Sequence, residues 1–582
     1  MRTPAPLVNP PPTRRQFLRR VSGATVTGLV TSSAVAAGMA EAATPIQTQT
    51  QIPPLTPAAG GETTRAGRAY EIRHRAALAY RDLPTVEHPT NGDEALHPNY
   101  LGSFSKALPH NRLGEVDPDA YQALLRALST GAPADFERIP LAGTVRLRNP
   151  QAAFAFDLLG PDPQQLATPA APALSSAEEA AEMTELYWQA LMRDIPFSAY
   201  GEDPLAHAAA ADLSRLVNFR GPRVGGRVTP HTLFRGVTAG DTVGPYVSQL
   251  LWQDVPYGAT RLLQQIRTVM PGIDYLVAYD DWLTVQNGSA TDSTRLYPRP
   301  RYVHTARDLA ECVHRDFTYQ LFLNAALILL GTGSPLDSGT LFGDRPRQAA
   351  DGTLLGSGVP YDAADPYAAS RTQSGFATFG APALLDLVGR VANCGLKAAW
   401  YQKWLVHRRL RPEEFGGRLH NHLTGAAQYP IDPAILGSPA LEAVYRRNGT
   451  YLLPMAYSEG SPTHPAYPSG HATMAGASAT VLKAFFDESY ALPAPVVPSA
   501  NAEWLSHYGD AELTVGGEID KLASNVAIGR NAAGVHWRSD AIEGLRLGEA
   551  VALGVLAEWK GCFNEAFGGF SLTRFDGTSV VV

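Results

Sequence analysis

The spacing of apolar residues along the chain is mostly that of helices. After a capping-box match at residues 175–178, apolar side chains recur at helical intervals from Met183 to Leu191. Similar patterns predict further helices over residues 246–252, 306–330, 383–406, 472–486 and 539–559. Alternation typical of strands is confined to residues 144–148 and 571–582. The pattern therefore predicts a mainly α-helical protein with few short strands and no internal repeat.

The N-terminal 95 residues differ from the rest of the chain. Arg14 and Arg15 precede a weakly apolar, charge-free run, and a small-residue cleavage pattern ends near residue 42. We interpret residues 1–42 as a twin-arginine signal peptide, rather than a basic disordered tail or a membrane anchor, because the run holds small residues, Thr and Ser where a stable span needs Leu and Ile. The mature protein is then expected in the periplasm or outside the cell.

The following residues suggest one large domain behind a linker. Residues 44–64 are rich in Pro, Thr and Gln, so we expect residues 43–95 to form a linker or extended segment and residues 96–582 a helical domain. The best later apolar run, Leu321 to Gly331, is too short for a bilayer and is typical of a buried helix. We expect no membrane contact once the signal is cleaved.

Composition restricts the kind of partner. The 582 residues carry a formal net charge of -7, with 18% charged residues, which argues against a nucleic-acid binder. Cys312, Cys394 and Cys562 can form at most one intramolecular disulfide, so this is not a disulfide scaffold. A small molecule is the expected partner.

Three separated segments carry donors suited to an anion. Lys403 and Arg411 lie eight residues apart, which would place both on one side of a continuous helix, with Pro412 then forcing an extended exit. The segment Pro-Ser-Gly-His at residues 468–471 precedes a predicted helix, whose free amides and dipole favour an anion. Arg530 and His536 follow in the third segment. Together these groups would form a positive pocket for a tetrahedral oxyanion.

The order of these motifs resembles that of the vanadium haloperoxidases and the related acid phosphatases. KWLVHRRLRPEEFGGRLHNH, THPAYPSGHATMAGA and GRNAAGVHWRSD are similar to the bromoperoxidase branch, as are GPYVSQLLWQDVPYG and FATFG upstream. The likeness extends from about His97 to the C-terminal FDGTSVVV. It implies a mainly α-helical domain with two four-helix bundles and an oxyanion at the end of one.

The resemblance assigns a role to each site residue. Lys403, Arg411 and Arg530 would neutralise a bound vanadate, joined by the Ser469 hydroxyl and the Gly470 amide. His536 would be the vanadium ligand, and His471 would contact the apical oxygen and handle protons. His464 is a histidine where chloroperoxidases commonly have an aromatic residue, which favours bromide, and Trp400 matches a residue bordering the halide pocket. The acidic position of the motif is Asp540.

The reaction implied is oxidation of bromide, or of iodide and the harder chloride, by hydrogen peroxide. Vanadate would act as a Lewis acid of fixed oxidation state, and Lys403 would make the peroxide more electrophilic. The resulting hypohalous acid would halogenate a small organic acceptor. The alternatives are an exported acid phosphatase, with a phosphoryl intermediate on His536, an oxyanion-binding protein without turnover, and a likeness that is only structural.

Some features of the resemblance stay general. Relatives with long chains form dimers or larger oligomers, so a homo-oligomer is expected. Some relatives carry structural calcium; its ligands are not identifiable in this sequence, and the loop from Asp344 to Asp365 is only a candidate place. Gly529 replaces the Ser of the general motif, which leaves donation to Asn531 or the main chain. The long stretch from Glu413 to Tyr467 suggests an inserted loop over the site.

Overall fold

The computed structural model describes residues 64–290, 299–331, 347–348, 354–355, 364–367 and 370–582, all within one compact unit. Sixteen α-helices occupy these ranges. In chain order they are α1 (Arg65–Arg81), α2 (Asp93–Leu96), α3 (Pro118–Thr130), α4 (Pro133–Phe136), α5 (Ala177–Leu191), α6 (Pro204–Arg215), α7 (Tyr279–Gln286), α8 (Ala306–Cys312), α9 (Gln320–Gly331), α10 (Ala381–Tyr401), α11 (Pro412–Leu423), α12 (Pro433–Leu436), α13 (Pro439–Asn448), α14 (Gly470–Phe485), α15 (Val515–Ala532) and α16 (Arg538–Lys560).

The strands are few and short, as the sequence predicts. Eight of them form four separate two-stranded antiparallel pairs in the described ranges. They are β1 (Val255–Tyr257) with β2 (Thr260–Leu262), β3 (Arg347–Gln348) with β4 (Leu354–Leu355), β5 (Val496–Pro498) with β6 (Leu505–His507), and β7 (Ser571–Thr573) with β8 (Ser579–Val581). The mainly α-helical fold class is confirmed.

Four helices, α10, α14, α15 and α16, pack together as a bundle with α14 at its centre. Every residue of α14 except His471 is buried. Glycines allow the closest approaches: a Cβ on Gly548 would lie 2.0 Å from the carbonyl oxygen of Thr473, and one on Gly476 would lie 2.2 Å from that of Leu545. No larger side chain fits between α14 and α16, so these glycines determine how closely the two helices pack.

A second group of helices packs around α5. This helix contacts α6, α12 and α13, and it also reaches α15 of the bundle. Its N-cap is Ser176, whose side chain accepts a hydrogen bond from the amide of Glu179 at 3.1 Å. Nearly all of α5 is buried, including Glu179, Glu182 and Glu185. Buried carboxylates on a helix need partners, and these partners lie close to the functional site.

Several predicted elements differ from the structure. Residues 249–251 form only a 3-10 turn rather than a helix over 246–252, and residues 144–148 form no strand. The helix predicted over 306–330 is two helices, α8 and α9, separated by residues 313–319. Asp316, in that break, contacts the site, so tertiary contacts override local helical spacing there.

The region around Arg411 corrects three further expectations. α10 ends at Tyr401, residues 402–407 form a π-helical turn, and Arg408 is left-handed with φ 42°. Lys403 and Arg411 are therefore not on one continuous helix. Arg411 is extended, as a residue before proline prefers, but Pro412 is the first residue of α11 rather than an extended exit. The stretch predicted as an inserted loop contains α11, α12 and α13.

The N-terminal segment is partly helical. Residues 65–81, within the predicted linker, form α1, which has no buried residue. The signal peptide and residues 43–63 lie outside the described residues, as does most of the candidate calcium loop. In the described ranges no helix has both the length and the apolarity that a bilayer crossing requires.

Candidate active site

The predicted site residues converge at one end of the bundle. They come from the end of α10 and the turn after it, the N-terminus of α11, the loop before α14 and its first turn, the last turn of α15 and the loop before α16. The residues predicted from the sequence are Trp400, Lys403, Arg411, His464, Ser469, Gly470, His471, Arg530 and His536. Most of them contact one another directly or through one shared neighbour, and Arg411 and Arg530 both contact the main chain of Val535.

Lys403 and Arg411 are both fully buried and both point at the segment before α14. Nζ of Lys403 donates to the carbonyl oxygens of Pro465 and Ala466 at 2.7 and 2.6 Å. The Arg411 guanidinium donates from Nε to the His464 carbonyl at 2.9 Å. The π-helical turn and the left-handed Arg408 separate Lys403 from Arg411, so two residues of different elements face the same segment.

Ser469 and Gly470 begin α14. Ser469 is the N-cap, accepting from the amide of Ala472 at 3.3 Å, and its own amide donates to the Asp540 carbonyl at 2.9 Å. A Cβ on Gly470 would lie 3.1 Å from the indole of Trp400. The N-terminus of a sixteen-residue helix, with its unpaired amides, is thus held against the tryptophan ring and the cation cluster.

His536 is held by Asp540, four residues later. Nδ1 of His536 lies 2.7 Å from Oδ2 of Asp540, which also accepts from the amide of Trp537 at 3.1 Å. Both side chains are almost completely buried. A carboxylate at Nδ1 fixes the tautomer with the proton on Nδ1, so Nε2 carries the lone pair. Nε2 is 3.1 Å from a guanidinium nitrogen of Arg411.

His464 lies between Arg411 and Trp400. Its Nδ1 is 2.9 Å from a terminal nitrogen of Arg411. Its ring centroid is 4.7 Å from that of Trp400, with an interplanar angle of 40°. Burial, with Arg411 and Lys403 nearby, lowers the pKa of His464 well below its usual value. The imidazole therefore stays neutral beside the guanidinium.

His471 has an acidic partner that sequence reasoning did not identify. Nε2 of His471 lies 3.1 Å from Oδ1 of Asp316, in the break between α8 and α9. The His471 side chain is 18% exposed and Asp316 4%. Burial and Arg530 lower the pKa of His471, while Asp316 raises it in part. No spacing signal links residues 155 positions apart, so only the fold reveals this pair.

Arg530 contributes the third cation. One terminal nitrogen donates to the Val313 carbonyl at 2.7 Å and to the Tyr457 hydroxyl at 3.2 Å, and the guanidinium lies 5.3 Å from the Tyr457 ring centroid. Its buried Nε has no hydrogen-bond partner among the described residues. The preceding Gly529 packs on α8, where a Cβ would lie 3.0 Å from Val313, which accounts for glycine at this position of the motif.

The three cations share one electrostatic feature. Within the described part of the chain, no carboxylate oxygen comes within 4.0 Å of the side-chain nitrogens of Lys403, Arg411 or Arg530. Burial lowers the pKa of Lys403 well below its usual value. Arg411 and Arg530 lower this pKa further, and Asp540 raises it in part. Burial also lowers the pKa of Arg411, to about 9, with Arg530 contributing. Burying like charges without counter-ions is costly, so the cluster is built to receive an anion.

A buried arginine, Arg409, contacts Asp540 on the side away from His536, and sequence reasoning did not identify it. Arg409 donates to Oδ1 of Asp540 at 2.8 Å and to the hydroxyl of Ser539 at 2.8 Å. It also pairs with Glu179 and, at 3.2 Å, with Glu182 of α5. In sequence Arg409 is one of several basic residues before Pro412, and nothing local separates it from Arg411. The structure directs Arg409 to carboxylates and Arg411 to the site.

A cavity of about 540 Å³ opens over the cluster. Of the predicted residues, it is lined by Trp400, His464, Gly470, His471, Arg530 and His536. Lys403, Arg411 and Ser469 lie behind this lining and are completely buried. Asn531, predicted as a substitute donor, is buried, and its side-chain amide has no hydrogen-bond partner in the described ranges. In those ranges no cluster of three His, Cys, Asp or Glu side chains offers a separate cation site.

Comparison with known proteins gives consistent matches. A family model described as the VCPO second helical-bundle domain matches residues 439–565. A vanadium-dependent bromoperoxidase of Ascophyllum nodosum is 38% identical over 511 residues, covering 83% of this chain and 86% of that protein. One of Corallina pilulifera is 34% identical over 612 residues, covering 89% and 98%.

The fold also matches a solved structure. The homohexameric structure of the second vanadate-dependent bromoperoxidase of Ascophyllum nodosum aligns with a TM-score of 0.80 and 29% identity. The alignment covers 97% of this chain and 95% of that one. The similarity therefore includes the helices that carry the cluster as well as the surrounding segments.

Proposed function

The chain belongs to the vanadium-dependent haloperoxidase family, in its bromoperoxidase branch, and from this membership we propose that it oxidises bromide with hydrogen peroxide at the cation cluster. The observation that carries the proposal is the burial of the Lys403, Arg411 and Arg530 side chains without a carboxylate partner for their charged groups among the described residues. An oxyanion with several negative oxygens would supply the missing charge.

The donor set fits vanadate. The three cations would neutralise its oxygens, with the Ser469 hydroxyl and the Gly470 amide as further donors at the N-terminus of α14. Nε2 of His536 has the lone pair that a metal ligand needs, because Asp540 occupies Nδ1. Lys403 uses two of its three donors on carbonyls, which leaves one for the bound group.

The protein's residues would handle the proton and the halide. Vanadate, when bound, supplies a Lewis acid that polarises hydrogen peroxide without itself changing oxidation state. His471 keeps Nδ1 as a base, because Nε2 faces Asp316, and would accept a proton from hydrogen peroxide and later return it. Trp400 and His464 line the cavity beside His471 and would border the halide.

The overall reaction balances without another redox partner. Hydrogen peroxide, bromide and one proton give hypobromous acid and water: the O–O bond breaks and bromide loses two electrons. Iodide is oxidised more easily and chloride less easily. We propose bromide as the preferred halide, because a neutral His464 rather than an aromatic side chain faces the cavity. A small organic acceptor would then be halogenated.

The test is bromination of a phenol dye by purified protein with peroxide and bromide, before and after addition of orthovanadate. Hydrolysis of p-nitrophenyl phosphate by the vanadate-free protein is measured alongside. Bromination that appears only with vanadate supports the proposal. Phosphate-ester turnover without any bromination would favour the acid phosphatase, in which His536 would carry the phosphoryl group.

Three wider properties belong to the same proposal. Export by the twin-arginine route rests on the sequence of residues 1–42. A homo-oligomer is supported by the homohexamer of the Ascophyllum protein. Structural calcium near Asp344 to Asp365 rests on the family resemblance alone. Light scattering of the purified mature chain, with and without a calcium chelator, addresses the last two.

A further inference from the structure

The cavity over the cluster is larger than an oxyanion and a halide require. Its volume of about 540 Å³ is in the range that holds a small organic molecule. Much of its wall is apolar or aromatic, formed by Val145, Val285, Leu396, Trp400, Tyr457 and Met474. Such a wall suits the ring or unsaturated part of an organic acceptor.

Of the cations that line this cavity in the described ranges, Arg148 alone has an unengaged charge. Lys106 pairs with Glu413 at 2.5 Å, and His314 lies 2.6 Å from Glu459. Arg530 is part of the oxyanion cluster. The exposed Arg148 side chain makes no hydrogen bond or ion pair with a described residue.

The main chain of Arg148 is nevertheless fixed in place. Its amide donates to the Thr463 carbonyl at 2.9 Å, and its carbonyl accepts from Nε1 of Trp400 at 3.2 Å. The same indole lies against the His464 ring, tilted by 40°, with the ring centroids 4.7 Å apart. Trp400 therefore connects the backbone that carries the free guanidinium to the halide side of the site.

We propose that Arg148 binds the carboxylate of an anionic aromatic acceptor, whose ring lies along Trp400 toward His464 and His471. The proposal rests on the haloperoxidase function above and specifies its substrate class. A guanidinium is suited to paired hydrogen bonds with a carboxylate. In the transfer, a ring carbon bonds to bromine, the O–Br bond of hypobromous acid breaks toward oxygen, and the displaced ring proton completes a water molecule.

Arg146 provides a matched control. It is an exposed arginine two residues earlier, and it does not line the cavity. Its carbonyl accepts from the Thr463 hydroxyl at 2.6 Å, so both arginines belong to the same anchored segment. Arg148→Gln and Arg146→Gln each remove one exposed positive charge, but only Arg148→Gln changes a residue that lines the cavity.

The experiment is a competition between 4-hydroxybenzoate and 4-hydroxybenzamide, present together with vanadate-loaded enzyme, peroxide and limiting bromide. The ratio of the two brominated products is compared with the ratio given by hypobromite reagent in the same buffer. In wild type we expect the ratio of brominated 4-hydroxybenzoate to brominated 4-hydroxybenzamide to be about tenfold higher than with the reagent. A tenfold preference is about the size expected for one charge-assisted contact. The product ratio of Arg148→Gln should fall to that of the reagent, and the product ratio of Arg146→Gln should match that of wild type.

Two results would overturn the proposal: a wild-type ratio equal to that of the reagent, or an equal loss in both variants. If neither acceptor is brominated, the haloperoxidase function fails instead. In that case the role of Arg148 is tested by binding alone. Ligand-observed NMR measures the binding of 4-hydroxybenzoate to the vanadate-loaded protein. Binding weakened in Arg148→Gln but not in Arg146→Gln supports the subsite, and equal binding rejects it.

Discussion

Oδ2 of Asp540 lies 2.7 Å from Nδ1 of His536, while Oδ1 of the same carboxylate lies 2.8 Å from Arg409. One buried carboxylate therefore orients the proposed vanadium ligand and is itself held by a buried guanidinium. Arg409 is anchored in turn by two glutamates of α5. The helix that supports His536 and the helix group around α5 are coupled through this chain.

Asp540→Asn should weaken vanadate binding by about 10- to 100-fold, because the asparagine amide no longer fixes the His536 tautomer. The measurement is a titration of bromination activity with orthovanadate, which gives an apparent Kd. Thermal unfolding shows whether the variant is folded, and excess vanadate should restore much of its activity. An unchanged apparent Kd in a folded variant would contradict the role given to Asp540.

Because Lys403, Arg411 and Arg530 lack a carboxylate counter-ion among the described residues, binding of an anion should strongly stabilise the folded protein. Adding orthovanadate at about 100 times its Kd should stabilise the wild-type protein by about 2.7 kcal/mol, since the anion binds only the folded state. Arg411→Gln should lose most of this gain and be less sensitive to vanadate in thermal unfolding. Arg418→Gln, which removes a buried arginine outside the site, is the control and should keep the vanadate response.

His471→Ala should lower kcat by about 100- to 10,000-fold while vanadate affinity changes much less, because the imidazole moves protons rather than neutralising charge. Asp316→Asn should give a smaller loss of kcat and a shifted pH profile, since it acts through His471. Steady-state kinetics at several pH values, with vanadate affinity measured separately, check both. Equal losses in kcat and in vanadate affinity would mean that His471 is chiefly a binding residue.

His314 and Glu459 predict a pH-dependent contribution to stability. Burial lowers the pKa of His314, but hydrogen bonds with Glu311 and Glu459 outweigh it and raise the pKa overall. Burial opposes the effect at Glu459, yet His314 lowers the pKa of that carboxyl to about 2. The histidine contribution is complete below its unfolded pKa of about 6.5 and is lost as pH rises through the folded value. The glutamate contribution is present above its unfolded pKa of about 4.3 and is lost as pH falls toward 2.

The free energy of unfolding lost in His314→Gln should therefore be larger between about pH 4.5 and 6.5 than at pH 9. Because Glu459 is half exposed, the pH-dependent part should not exceed about 1 kcal/mol. Urea unfolding at several pH values measures the difference. The exposed His507→Gln serves as control, and a pH-independent loss in His314→Gln would show that only its stacking on Tyr457 matters.

Local sequence alone predicts the cluster and a tetrahedral oxyanion as its ligand. Helical spacing predicts most long helices, because burial of one face of a helix gives a periodic sequence pattern. The residues proposed to bind the anion lie in short segments. Ser469 and Gly470 were recognisable because a helix N-terminus has local requirements for a cap and for close approach. The family resemblance then assigned those segments to vanadate.

Only the tertiary structure decided which charged residues work together. Arg409 and Arg411 are two residues apart, yet the first pairs with carboxylates and the second faces the site. Asp316 meets His471 across 155 residues, and Trp400 connects Arg148 to His464. The physical reason is that helix propensity and capping act over a few residues. Pairing of buried charges depends instead on which elements the packed core brings together, and no local pattern in the sequence records that.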